Sequence, residues 1–139
     1  GSRCWHYDGS DCVVTLMLQP SVSGGEFEFA PFIRGDVDVD GMGVSQVDSP
    51  EFENYPQVQK LLNGEYQDKR ISRAAAGTLN LFHGLRSMHR VRTVYGPVTR
   101  VVAVLSYDTI PNRCGSIPKN ISLYGERVRE IYEQREGSL

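Results

Sequence analysis

Two histidines and one aspartate open the most specific chemistry available to this chain. His6-Tyr7-Asp8 is an HxD triplet. In an extended segment, side chains at i and i+2 project to one face, so an imidazole and a carboxylate converge on one cation. A surface histidine beside a turn aspartate before Gly9 makes the same triplet with no function, so the motif needs a third ligand. His89, within LFHGLRSMHRV, offers one. Two histidines and one carboxylate form a facial triad that leaves octahedral positions open, the arrangement suited to non-haem Fe(II). Arg100 follows eleven residues later and opens an apolar strand. A buried, unpaired guanidinium is costly there, whereas the far carboxylate of a dicarboxylate ligand would pair with it bidentately. A strand-end arginine in solvent is the plain alternative.

The elements that must position these groups are mostly strands. Residues 12–19, CVVTLMLQ, combine β-branched and large apolar side chains, as expected of a strand buried on at least one face. PSVSGG over 20–25 supplies a turn, and 26–29 then alternates charge with aromatic like a half-exposed strand. Phe32-Ile33-Arg34 is expected to continue that sheet after Pro31. Strand patterns return over 78–82 after a turn at Gly77, around 91–94, and over 100–107, with Gly96-Pro97 turning between the last two. A short insert helix is predicted from an Asn54 N-cap and Pro56 in its first turn to Gly64, with Tyr55, Val58, Leu61 and Leu62 as its apolar stripe. Leu123, Val128, Ile131 and Tyr132 predict a C-terminal amphipathic helix over roughly 122–135. Many short strands with peripheral helices point to a β-sandwich or barrel, mainly β, in one domain over 1–139.

Composition narrows the partners. With 139 residues and a net charge of -2, the chain can bury a single core and lacks the basic excess that duplex nucleic acid demands. No apolar run is long enough for a membrane span, and no signal peptide pattern is visible, so no membrane partner is expected and a cytoplasmic location is the default. Cys4, Cys12 and Cys114 lack CxxC spacing and are expected to be reduced thiols.

Taken in order, the motifs resemble the Fe(II)/2-oxoglutarate-dependent oxygenase superfamily. They are HYDGSDCVVTLMLQ from His6, GGEF from Gly24, GTL from Gly77 with LF at 81–82, SMHRV ending at Val91, and the strand from Arg100 to Tyr107. Together they cover nearly all of residues 4–108, and the closest likeness is to bacterial free-amino-acid hydroxylases and their radical-halogenating relatives. The resemblance implies a double-stranded β-helix (jelly roll, cupin-like) with iron held by His6, Asp8 and His89. It also implies that Arg100 pairs with the distal carboxylate of 2-oxoglutarate. O₂ would be the cosubstrate and ascorbate a reductant, and decarboxylation to succinate would drive hydroxylation of an unactivated C–H bond in a small molecule such as a free amino acid. The halogenating relatives lack the carboxylate that Asp8 supplies here, which favours hydroxylation.

Further residues can be weighed within that frame. Thr15 could donate a hydrogen bond to 2-oxoglutarate, with a satisfied core hydroxyl as the alternative. Arg86 could meet a substrate carboxylate, with a solvated surface arginine as the alternative. His83 is expected in a loop beside the site rather than as the third ligand. Asp36, Asp38, Asp40 and Asp48 lie in an acidic stretch that could attract a cationic substrate, or be solvated only. Members of the superfamily usually carry helices and a first barrel strand before the HxD, whereas five residues precede His6 here. The N-terminal part is therefore expected to be missing or minimal, leaving a sheet edge that a homodimer could cover. Two other classes accommodate the same residues: a catalytically silent jelly-roll module that binds a ligand or partner, and a zinc hydrolase. No further general base at hydrolase-like spacing stands out for the latter.

Overall fold

The computed structural model describes residues 4–35, 50–108 and 117–136. The strands are β1 (Cys12–Gln19), β2 (Ser23–Gly24), β3 (Phe27–Ala30), β4 (Arg70–Ser72), β5 (Leu79–Phe82), β6 (Met88–Val91), β7 (Val94–Tyr95) and β8 (Val101–Tyr107). The helices are α1 (Pro50–Glu53), α2 (Tyr55–Leu62), α3 (Ile117–Tyr124) and α4 (Arg127–Glu136). The chain divides into two compact units, Gly1–Asp108 and Thr109–Leu139. The described part of the first is mainly β with α1 and α2, and that of the second is α3 and α4.

Three antiparallel sheets organise the first unit, in the orders β5-β1-β8, β4-β3-β6 and β2-β7. Register fixes which residues share a face. Val13 stands opposite Phe82 and Ser106, and Thr15 opposite Asn80 and Val104. In the second sheet Phe29 stands opposite His89 and Glu28 opposite Arg90. Rings close the gap between the two sheets: Phe82 on β5 lies 5.0 Å from both Phe27 on β3 and His89 on β6, centroid to centroid. The opposite face of β1 and β5 is apolar, and Leu79 and Leu81 are exposed there.

The other face of β4-β3-β6 carries the main apolar cluster. Ala30, Ile33, Leu61 and Met88 are buried together, with Trp5, Tyr7, Val58 and Tyr66 packed against them. Of the stripe expected on α2, Val58 and Leu61 join this cluster while Tyr55 and Leu62 stay exposed. The helix ends as expected before Gly64 at φ +82, but Asn54 makes no side-chain cap. Asn54 is left-handed at φ 50, and its amide donates instead to the Ile33 carbonyl.

That bond helps explain a second difference. Phe32–Arg34 does not extend a strand, because its backbone groups are satisfied elsewhere. The Phe32 N–H donates to Ser87 Oγ, the Ile33 carbonyl accepts from Asn54, and the Arg34 N–H donates to the Arg86 carbonyl. The strand expected around 91–94 is two elements, β6 and β7, belonging to different sheets. Nor is the C-terminal helix single: Gly125, at φ +85, separates α3 from α4, and Asn120 Nδ2 donates to Tyr132 Oη at 2.7 Å across the break. The acidic residues Asp36, Asp38, Asp40 and Asp48, and Cys114, lie outside the described residues; Cys4 and Cys12 are free thiols. Among the described residues no helix is long and apolar enough to cross a membrane.

Candidate metal centre

The triplet and the distant histidine meet through backbone pairing. The His6 N–H donates to the His89 carbonyl and the His89 N–H to the His6 carbonyl, each at 3.0 Å. Two residues that exchange both bonds in this way stand directly opposite each other, with their side chains on one side of the pair. The imidazoles accordingly lie side by side with centroids 4.4 Å apart. Tyr7, between the two ligands of the triplet, points the other way into the Ile33–Leu61–Met88 cluster. Burial of that ring anchors the segment and leaves His6 and Asp8 on the opposite face.

Tyr7 is held from its far side as well. The Arg34 guanidinium lies 3.7 Å from its ring centroid, donates to both carboxylate oxygens of Glu53, and donates to the Leu85 carbonyl at 2.8 Å. One cation thus ties the HxD segment to α1 and to the turn after β5. Burial pushes the Tyr7 phenol up to about 12, opposed by the positive charge of Arg34.

The donor set fits a metal. One ligand atom from each of His6, Asp8 and His89 lies within 4.8 Å of the others, and His89 Nε2 is 3.3 Å from Asp8 Oδ2. Neighbouring ligands about 2.1 Å from one ion are separated by about 3.0 Å in octahedral and about 3.4 Å in tetrahedral geometry. The tautomers agree. His6 Nδ1 bonds the Cys4 carbonyl and His89 Nδ1 the Ser87 carbonyl, both at 2.8 Å. A carbonyl only accepts, so each Nδ1 carries the hydrogen, and in a neutral ring Nε2 is the lone-pair atom. A lone pair facing a carboxylate at 3.3 Å is repulsive unless a positive charge lies between them. A proton would suffice for one histidine; two imidazoles converging with the carboxylate suit a cation.

Walls around this cluster are apolar. Phe27 and Phe82 pack on His89 at 5.4 and 5.0 Å between centroids, and His89 is only 4% exposed. A dry wall strengthens electrostatic interactions within the site.

Arg100 immediately precedes β8, at the end of the β1–β8 pairing where the register shifts between Met17 and Gln19. Val104 and Val102 stand opposite Thr15 and Met17, on the face that carries Phe82 at its metal end. Its Nε is buried with no hydrogen-bond partner among the described residues, and burial lowers its pKa. Gly25 makes room for it: a Cβ there would stand 2.8 Å from Arg100 Cδ. Thr15 occupies the half-buried rung between the metal end and the Arg100 end. Arg86 donates to the Gly35 carbonyl at 3.0 Å and lies over Phe32, which ties it to the turn after β3. His83 is exposed, with its ring 5.5 Å from Phe32, and is not one of the clustered ligands.

Tyr7, Arg34, Phe27, Phe82 and Gly84 shape the site without having been singled out in the sequence. An aromatic at the middle of HxD was the available signal for Tyr7; nothing local marks Gly84, whose importance depends on its distance from Asp8. No protein-family model matches the chain, and a search of curated proteins gives no match.

Proposed function

We propose that residues 4–108 form the double-stranded β-helix core of an Fe(II)- and 2-oxoglutarate-dependent dioxygenase. It would hydroxylate an unactivated C–H bond of a small molecule, with a free amino acid the leading candidate. The observation that carries this reading is the convergence of His6, Asp8 and His89, with both Nδ1 atoms committed to carbonyls. The orphaned Nε of Arg100 supports the cosubstrate, because a dicarboxylate would supply the anion it lacks. Two antiparallel sheets that meet across Phe27, Phe82 and His89 support the jelly roll.

Bound iron would supply the redox chemistry that couples decarboxylation of 2-oxoglutarate to hydroxylation. The chain's own residues do the rest. His6, Asp8 and His89 would hold the ion. The Arg100 guanidinium would pair with the distal carboxylate of the cosubstrate, and the Thr15 hydroxyl would donate to the same ligand. Phe27 and Phe82 exclude water from the His89 side. Arg86, at the turn after β5, is the candidate for a substrate carboxylate.

Anaerobic titration of 2-oxoglutarate into the Fe(II)-loaded protein tests the reading. A weak visible charge-transfer band is expected, absent in His89→Ala. In Arg100→Ala it should need at least about 30-fold more cosubstrate, the loss expected for one partner of a buried charged pair. A silent binding module gives no band at any concentration. Zinc is the second reading, since the 3.3 Å spacing between His89 and Asp8 suits tetrahedral geometry too. Tight zinc uptake that Fe(II) cannot compete with, together with no band, would favour it.

A further inference from the structure

We infer that Gly84 is a positioning residue: the space left by its missing side chain seats the Asp8 carboxylate in the metal centre. The inference rests on the metal-centre reading for its function, but its geometry stands apart from it. Gly84 is buried and does not have a positive φ, so its backbone conformation is open to other residues. Conformational freedom therefore does not explain a glycine here, and space does. A Cβ on Gly84 would stand 2.5 Å from Asp8 Oδ2, 2.7 Å from Asp8 Cβ and 2.9 Å from Val13 Cγ2. Glycines 64, 77 and 125 form a contrast: each has positive φ, and a Cβ there would meet nothing within 4 Å.

The neighbours of Gly84 cannot yield cheaply. Asp8 Cβ is the root of its side chain, and the Asp8 N–H donates to the Gly84 carbonyl at 3.0 Å, which holds the two backbones together. Tyr7, one residue earlier, is fixed in the apolar cluster under Arg34. Val13 is 2% exposed and packed. The Asp8 carboxylate can turn about its side-chain bonds without moving the backbone, so an added methyl group would drive it off its position beside His89 Nε2. Gly84 thus acts through Asp8, touching neither substrate nor metal.

Two measurements test this. In crystals of the metal-free protein, Gly84→Ala should lengthen the Asp8 Oδ2 to His89 Nε2 distance by about 1 Å or more, a misplacement large enough to disable a site. Titration calorimetry with Co(II), an oxygen-stable probe, should show affinity falling about 10- to 100-fold, the range for residues that orient a metal ligand. In an Asp8→Ala background the same substitution should cost nothing further, because the side chain through which it acts is gone. Should Gly84→Ala overpack and fail to fold, Gly84→Ala with Val13→Ala relieves the third contact and keeps the other two. An unmoved carboxylate overturns the inference, as does an equal loss of affinity with and without Asp8. Failure of the wild type to bind Co(II) would sink the metal-centre reading instead, and the crystals alone would then decide the role of Gly84.

Discussion

His89 and Arg90 are consecutive on β6 and face opposite sides of one sheet, and each meets a carboxylate. On one side Asp8 faces two imidazoles whose remaining ring nitrogens are acceptors when neutral. On the other, fully buried Glu28 is paired with both Arg90 and Arg92, and the Arg90 guanidinium also lies 4.7 Å from the Trp5 ring centroid. The Glu28 cluster brings its own cations: Arg90 Nε donates to Oε2, and Arg92 Nε lies 3.2 Å from Oε1, which makes no hydrogen bond among the described residues. The Asp8 cluster gathers three ligand atoms of the kinds that hold a metal ion. The pleat of one strand thus separates a group that holds the fold together from one built to bind.

The sharpest break in that comparison is expected at the ligands. Asp8→Ala or His89→Ala should weaken Co(II) or Fe(II) binding by more than about 100-fold, above the range seen for residues that only support a ligand. Arg90→Ala should leave metal affinity within about two-fold, measured by the same titration, since its side chain and that of His89 lie on opposite faces of the strand and pair with different carboxylates. If Arg90→Ala abolished metal binding, the two faces would not be separable.

A smaller effect runs the other way. Removing Arg90 leaves Glu28 buried with Arg92 as its remaining partner. Loss of one partner of a buried pair costs about 3–5 kcal/mol, and the remaining arginine should hold the cost to about 2–3 kcal/mol. Urea denaturation would read this as a lower midpoint at unchanged slope. Asp8→Asn, on the half-buried face, should move that midpoint less than Arg90→Ala does.

The smallest effect concerns Tyr7. Its phenol is neutral until about pH 12 in the folded chain, against 10 when exposed. The folded state therefore holds its proton more tightly than the unfolded state does. This contribution is fully present below pH 10 and is lost as pH rises from 10 towards about 12. Tyr7→Phe should lose less stability than wild type over that interval, checked by denaturation midpoints at its two ends. Equal alkaline losses would show that Tyr7 does not contribute.

Some of this molecule was legible one segment at a time. The run CVVTLMLQ is β1 over the residues expected, and Leu79–Phe82 and Val101–Tyr107 fall inside their predicted strands. Gly64 closes α2 where the pattern placed its end. Glu28 was harder to read. Alternation of charge with aromatic suggested a glutamate in solvent, yet it is 0% exposed, because Arg90 and Arg92, far along the chain, neutralise it.

By itself the sequence determined the local periodicities and which residue types could ligate, because strand alternation, turn chemistry and side-chain donors depend on neighbours along the chain. Only the tertiary structure decided that His6 and His89 exchange backbone bonds, that Gly84 leaves room for Asp8, and that Arg34 clamps Tyr7. Each of these joins residues at least 27 positions apart, Arg34 and Tyr7 being the nearest pair. Their proximity comes from sheet register and packing, which no local pattern encodes.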